Sequence, residues 1–402
     1  MRVLTFTSLY PNKVDPLQGI FIHERINHFA RRPGNEVQVV APIPFFPSWL
    51  RKTKWQKFGQ VPRTEEIGGL WVHHPRYPLL PGISMPVHGL LVYLACLRTV
   101  RRLTAEKNFD CIDAHFVYPD GFAAVLVGRA VGLPVFVSAR GSDINVYAAF
   151  RLIRPLLRWT LKYATGVIAV SAALKQKVAE LNIPEEKIQV ISNGIDTERF
   201  RPLDRKECRL RLGLPEQGLI IISVGSLIES KGHHVLVSSV GKLAQRHPSL
   251  RLHIIGEGVY RPEIERLVRE RKLGDRVYLM GTRPNDELSA WFSAADVSCL
   301  LSSREGWPNV VSESLACGTP VLATKAGGIP EIIVSTKMGI LVDRSIPSVT
   351  AGLERALTSS WNRNEIAGVA RTRSWDAVAE EVETFFRSRM KKRERIAKVT
   401  EP

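Results

Sequence analysis

Along the chain, short β-branched runs alternate with stretches whose apolar residues recur every three or four positions. In the first half "RVLTFT" precedes "IFIHERINHFAR", "CIDAHF" precedes "GFAAVLVGRAVG", and "GVIAVS" precedes "AALKQKVAEL", with "NEVQVVAP" and "PVFVSA" as further strand-like runs. Strands alternating with helices of this kind fold as parallel sheets covered on both faces. The rhythm breaks at the polar, Pro- and Gly-containing segment "TERFRPLDRKECRLRLGLPEQG" and restarts at "GLIIISVGSL", running on through "LRLHIIG", "RVYLMG", "VSCLLSS", "PVLAT" and "GILVD". The pattern predicts an α/β protein of two doubly wound, Rossmann-like domains, residues 1–200 and 201–372, with a boundary near Phe200. A last helix, about Ser374 to Met390, carries Trp375, Val378, Val382, Phe385 and Phe386 on one face and must pack on something. The tail "KKRERIAKVTEP" lacks that periodicity and is expected to fray.

Composition adds limits. At 402 residues and 45 % hydrophobic content the chain can fill two cores. Its five cysteines are far apart and form no CxxC, which predicts a reducing compartment and no structural zinc. No apolar run approaches the roughly 18 residues a membrane-spanning helix needs, and the opening "MRVLTFTSLYPN" reads as a strand entering a loop rather than a signal peptide. The net charge of +17, of which +10 lies in residues 1–200, suits an anionic partner: a nucleotide, a membrane surface or a nucleic acid.

Candidate chemistry gathers where strands end. In "SVGSLIESKGHHVL" a strand ends at Gly225, and Lys231 and Gly232 lead into a helix, so a cation and free backbone N–H groups meet at one mouth, a place for a diphosphate. "CLLSSREGWPN" places Glu305 in a loop, Asn309 as a candidate N-cap and Glu313 one turn into the next helix. Two carboxylates beside one cleft suit the paired hydroxyls of sugars, but for the pair alone the reading that ranks first is that Glu305 serves the helix dipole and Glu313 is a solvated helix residue. In the first half, His115 ends one strand, and Arg140 and Asp143 follow the next. Gly19 stands before a helix start, as anion-friendly as it is a plain turn residue, while "GEGVYRPE" and "AGGIPEII" discriminate nothing as isolated glycine turns.

Taken in order, "HFVYPDG", "RGSDI", "VISNGID", "VGSLIESKGHH", "REGWPNVVSESLACGTPV" and "GGIPEI" resemble the retaining, GT-B-type glycosyltransferases of family 4 over nearly the whole chain. The resemblance implies two domains facing a central cleft, the first for an acceptor, the second for a nucleotide sugar. It implies that Glu305 holds the donor sugar with the backbone of Gly306, Trp307 and Asn309, that Glu313 holds the ribose, and that Lys231 holds the diphosphate. Ser226 stands where the family often has an arginine, and Arg140 where relatives often have a histidine. His115 matches the active-site histidine, with Arg140 and Asp143 on the acceptor side, and Thr282 and Arg283 lie by the base. No two aspartates stand two residues apart, so a DxD metal site is absent and a reaction without metal or other cofactor is expected. The C-terminal segment 373–402 is expected to pack back toward the first domain.

"FRLIRPLLRWTLK" sets Arg151, Arg154, Arg158 and Lys162 beside Phe150, Ile153, Leu157 and Leu161, and "FFPSWLRKTKWQKF" adds Trp49 and Trp55. Either the apolar stripe faces the core, or both stripes meet an anionic membrane at its cytoplasmic face, as in relatives acting on lipid-linked acceptors. The expected function is transfer from a UDP- or GDP-sugar to a lipid-linked or polysaccharide acceptor. A nucleotide-sugar 2-epimerase is the alternative, and a basic nucleic-acid-binding protein ranks last, because no such motif is present.

Overall fold

The computed structural model describes residues 1–45, 56–79 and 84–400, and the chain forms two compact units. Unit 1 comprises Met1–Gly194 with Trp375–Pro402; unit 2 is Ile195–Ser374.

Unit 1 contains β1 (Arg2–Phe6), β2 (Glu36–Val40), β3 (Ile43–Phe45), β4 (Thr64–Ile67), β5 (Leu70–His73), β6 (Arg76–Pro78), β7 (Cys111–His115), β8 (Val135–Ala139), β9 (Gly166–Ala169) and β10 (Ile188–Val190). Eight of them form one sheet in the order β10-β9-β8-β7-β1-β2-β5-β4, parallel except for the β4–β5 pair, and β3 and β6 pair separately. The antiparallel pair lies outside the strand-helix rhythm because it turns through Gly68 and Gly69, both at positive φ, with no intervening helix. Fully buried β7 and β8 are apolar but for Asp113, His115 and Ser138, three polar residues in mid-core that need partners.

Unit 2 is a six-stranded, all-parallel sheet: β11 (Ile220–Val224), β12 (Arg251–Ile255), β13 (Val277–Leu279), β14 (Val297–Leu300), β15 (Val321–Thr324) and β16 (Gly339–Val342), in the order β13-β12-β11-β14-β15-β16. The chain direction of the layout reverses between β11 and β14, the switch point where open α/β sheets bind ligands.

The boundary falls between Gly194 and Ile195, six residues before the expected one. Ile195 donates to the Arg373 carbonyl at 2.9 Å, and Phe200 is buried against Ile220, Ile222 and Phe292, so 195–200 belongs to the second core. The last helix runs Trp375–Thr400 and does not end at Met390. Its apolar face lies in unit 1, where the Phe386 ring stacks on Phe136 at 4.2 Å and Glu383 accepts from Arg32 at 2.8 Å.

The Arg154–Tyr163 helix resolves the two-stripe alternative: Ile153, Leu157 and Leu161 are buried in the core, and Arg151, Arg154, Arg158 and Lys162 are exposed. An apolar face for insertion is therefore not on offer there; Phe150 and Leu152 alone remain exposed at its start. Trp49 and Trp55 lie outside the described residues. Among the described residues, no helix is long and apolar enough to cross a membrane.

Candidate functional site

In unit 2 the loops leaving β11, β12, β14 and β15 are locked by glycines against one another. A Cβ at Gly256 would stand 2.0 Å from the Gly225 carbonyl oxygen, one at Gly258 2.2 Å from that of Leu227, one at Gly232 2.2 Å from that of Leu301, and one at Gly327 2.0 Å from that of Glu305. Only glycine permits such approach, and Gly232, Gly256 and Gly327 are also at positive φ. The outcome is a close-set rim at the carboxyl ends of the strands. Lys231 reaches across it, its Nζ 2.5 Å from Glu305 Oε1, which also accepts from Ser302 Oγ at 2.6 Å. Gly232 then begins the His233–Leu243 helix, whose first-turn amides have no intrahelical acceptors.

The Asn309–Ala316 helix follows Glu305 directly and carries Glu313, half-buried. Asn309 is its first helical residue, not its N-cap; Pro308 holds that place and supplies no side-chain cap. Gly306 accepts from the Gly328 amide at 3.1 Å, which ties this loop to the one after β15. The Trp307 indole N–H and the Arg283 Nε are both enclosed without a hydrogen-bond partner, and Ser226 and Thr282 are exposed.

In unit 1 the polar core residues find their partners in one buried chain. Arg25 on the Ile20–Arg31 helix donates through Nη2 to both Asp113 oxygens, at 3.1 and 3.0 Å, and through Nη1 to Ser138 Oγ at 2.8 Å. His115 lies 3.2 Å from Asp113 through Nε2 and 2.6 Å from Arg140 Nη2 through Nδ1. A guanidinium only donates, so Nδ1 accepts and Nε2 carries the proton toward Asp113. Burial lowers the His115 pKa to about 3, so the ring is neutral. Burial pushes the Asp113 carboxyl up, but Arg25, His115 and Arg140 outweigh it and hold the group below its usual range. Burial and then the nearby Arg25 lower Arg140 to about 9, still a cation at neutral pH. Arg140 also donates to Asn193 at 2.8 Å.

This geometry revises three expectations. His115 is fully buried, with both ring nitrogens engaged by Asp113 and Arg140, and in this arrangement it positions Arg140. Asp143 accepts from the amides of Val117, Arg140, Gly141 and Ile144 at 2.8 to 3.2 Å, which makes it the clamp between the exits of β7 and β8. Gly19 lies in unit 1, where its φ of 64° and a would-be Cβ 2.3 Å from the Leu9 carbonyl oxygen explain the glycine by packing. Arg25, Asp113 and Asn193 were not foreseen, though Arg25 interrupts the apolar spacing of Ile22, Ile26 and Phe29, a signal of a buried cation. The glycines of "GEGVYRPE" and "AGGIPEII" were set aside, yet Gly256, Gly258 and Gly327 shape the rim.

Residues 204–373 match the sequence model described as Glycosyl transferases group 1, and residues 18–199 match that described as Glycosyltransferase Family 4. The D-inositol 3-phosphate glycosyltransferase of Acidothermus cellulolyticus is 32 % identical over 337 residues, 78 % of this chain and 75 % of that protein. TuaC of Bacillus subtilis, named for teichuronic acid biosynthesis, is 28 % identical over 365 residues, 88 % of this chain and 89 % of that one. Among solved structures, Anabaena HepE in complex with UDP superposes with a TM-score of 0.72 at 18 % identity, covering 96 % of this chain and 100 % of that one. With two parallel-sheet units and relatives of this kind along both, the chain belongs to the group 1, family 4 glycosyltransferases of the GT-B fold.

Proposed function

We propose that the chain is a retaining glycosyltransferase that moves a sugar from a UDP- or GDP-sugar to a lipid-linked or polysaccharide acceptor in cell-surface glycan synthesis, at the cytoplasmic face of the membrane. One observation carries the reading: Lys231, at the mouth of the β11 loop, is held by Glu305 from the β14 loop on either side of the sheet's switch point. An arriving diphosphate would take the Lys231 ammonium and the first amides of the following helix. Glu305, released, would accept from donor-sugar hydroxyls, with the amides of Gly306, Trp307 and Asn309 beside it. Glu313 would take the ribose, and Arg283, with its free Nε, would lie by the base or phosphates. Charge developing on the leaving diphosphate would be met by these fixed groups, without a metal. Arg140 also has an unpartnered Nε and is the cation that His115 presents on the acceptor side.

HepE's complex with UDP supports a nucleotide-sugar donor without choosing its base. The acceptors named for the relatives differ, a teichuronic acid in one and an inositol phosphate in another, and support no single acceptor here. The exposed Arg151, Arg154, Arg158 and Lys162 support electrostatic contact with anionic lipid, without insertion.

A thermal-shift screen with EDTA against UDP, GDP, ADP and their sugar conjugates tests the reading, because a ligand that binds only the folded state raises its stability. A shift by one nucleotide class fixes the base and supports metal-free binding. No shift from any of them removes the donor site built on Lys231, Glu305 and Glu313.

A further inference from the structure

A concavity of about 650 Å³ lies wholly within unit 1, at the amino ends of β8, β9 and β10. These strands are parallel, so it is at the opposite end of the sheet from His115 and Arg140. Its volume falls within the roughly 300–1,000 Å³ of small-molecule pockets. Val125, Leu133 and Pro134 give it an apolar lining, and Arg129, Lys187, Arg389, Lys392 and Arg393 line it with charge, beside one carboxylate, that of Glu186. Cations from three separate stretches of the chain thus meet around one space.

The last helix supplies three of the five. Its buried face steps by three and four through Trp375, Val378, Val382 and Phe386, and the same steps lead on to Arg389 and then to Lys392 and Arg393. A face that is apolar where it covers the core becomes basic where it borders the cavity. The cations there are held by neutral groups. Arg389 donates to the Glu186 carbonyl and lies 5.4 Å from the Phe385 ring, and Lys187 Nζ donates to the Lys162 carbonyl at 2.5 Å. The Arg129 guanidinium stands 4.8 Å from the Tyr163 ring. Rings and main-chain carbonyls fix these side chains without cancelling their charge. Burial, and then repulsion from Arg389, lowers the Lys187 ammonium to about 8. Like charges crowded in this way are relieved by a ligand with more than one negative charge. Phosphate matches the guanidinium fork with two parallel hydrogen bonds, and three arginines line this cavity.

We propose that this cavity is an anion site that takes a phosphate-bearing ligand of small-molecule size, which clamps the last helix to the β8–β10 edge of unit 1. The proposal does not rest on the glycosyltransferase reading, and the site shares no residue with the donor site in unit 2.

The test uses the full chain carrying Lys231→Met, which removes the ammonium assigned to the donor diphosphate. Two probes distinguish the source of the phosphate: inorganic pyrophosphate by calorimetry, and phosphatidylcholine vesicles with and without phosphatidic acid by sedimentation. Pyrophosphate binding assigns a soluble ligand, and sedimentation only with phosphatidic acid assigns a lipid headgroup. Either binding should weaken as salt is raised. Adding Lys187→Met should weaken it by about tenfold or more, as for a lost hydrogen bond to a charged group. Arg129→Met, at an exposed position, should do the same and carries the test if Lys187→Met fails to fold. Lys206→Met, at an exposed cation of unit 2, should change it by less than about twofold, as for an ordinary surface charge. Binding of neither probe, or a loss in Lys206→Met equal to that in the cavity variants, would overturn the proposal.

Discussion

Gly327→Ala tests whether the glycine-locked rim, and not only its charged side chains, positions the donor. The new Cβ would stand 2.0 Å from the Glu305 carbonyl oxygen, where real Cβ contacts essentially never fall below 3.0 Å, so one loop must yield by at least 1.0 Å. The φ of 54° adds about 1–2 kcal/mol for a left-handed alanine. The segment in the path of the new Cβ is the Glu305–Gly306 loop itself, joined to Gly327's neighbour by the 3.1 Å bond from the Gly328 amide. A 1 Å displacement would break the 2.5 and 2.6 Å contacts of Glu305 with Lys231 and Ser302. Misplacement on that scale costs on the order of 100-fold in rate. The assay is nucleoside diphosphate release from the donor that the thermal screen identifies, with urea unfolding alongside. Gly368→Ala is the control: it lies on an exposed helical site with nothing within 4 Å of its Cβ, and should gain about 0.5–1 kcal/mol with kinetics unchanged. A Gly327→Ala enzyme within about twofold of wild-type kcat/KM would refute the reasoning.

Three further outcomes are expected. Lys231→Met should lower kcat by about 10²–10³-fold, as for loss of one preorganised charge at a leaving group, and an unchanged kcat would remove Lys231 from the site. Asp113→Leu should destabilise unit 1 by about 3–5 kcal/mol because Arg25 is left buried and uncompensated, whereas Arg25→Met combined with Asp113→Leu should regain most of that; equal urea midpoints for the single and double variants would disprove the pairing. Stability should fall as pH drops from about 6.5, because burial holds His115 at about 3 and His88, His233 and His253 at about 4, so the unfolded chain binds more protons below its own histidine pKa. A urea midpoint that does not fall between pH 7.5 and 5.5 would contradict that sign.

The strand-and-helix rhythm was legible because parallel strands buried on both faces are near-continuous apolar runs, as in "IIISV" and "VFVSA". Lys231 and Glu305 were legible as loop residues after strands, but their contact joins positions 74 apart and depends on β11 lying beside β14. The same dependence hid the glycine rim. Gly256 meets Gly225 because β12 borders β11, and Gly327 meets Glu305 because β15 borders β14; neither adjacency is written in the local sequence. The Arg25–Asp113–His115–Arg140 chain was hidden for a further reason, since it links a helix to two strands through side chains that local pattern treats as exceptions.

The chain leaves unit 1 at Gly194 and returns to it only at Trp375, and this sets an order of events on the ribosome. Until the final helix emerges, Phe136 and Ile168 lack the aromatic face that covers them. At about 5–20 residues per second, the intervening 195–374 stretch takes roughly 10–40 s to make. The later-encoded unit can therefore complete itself first, while the earlier one waits with an open apolar flank. A nascent chain of this design carries its open apolar flank through the second half of its synthesis, and its first half is finished last.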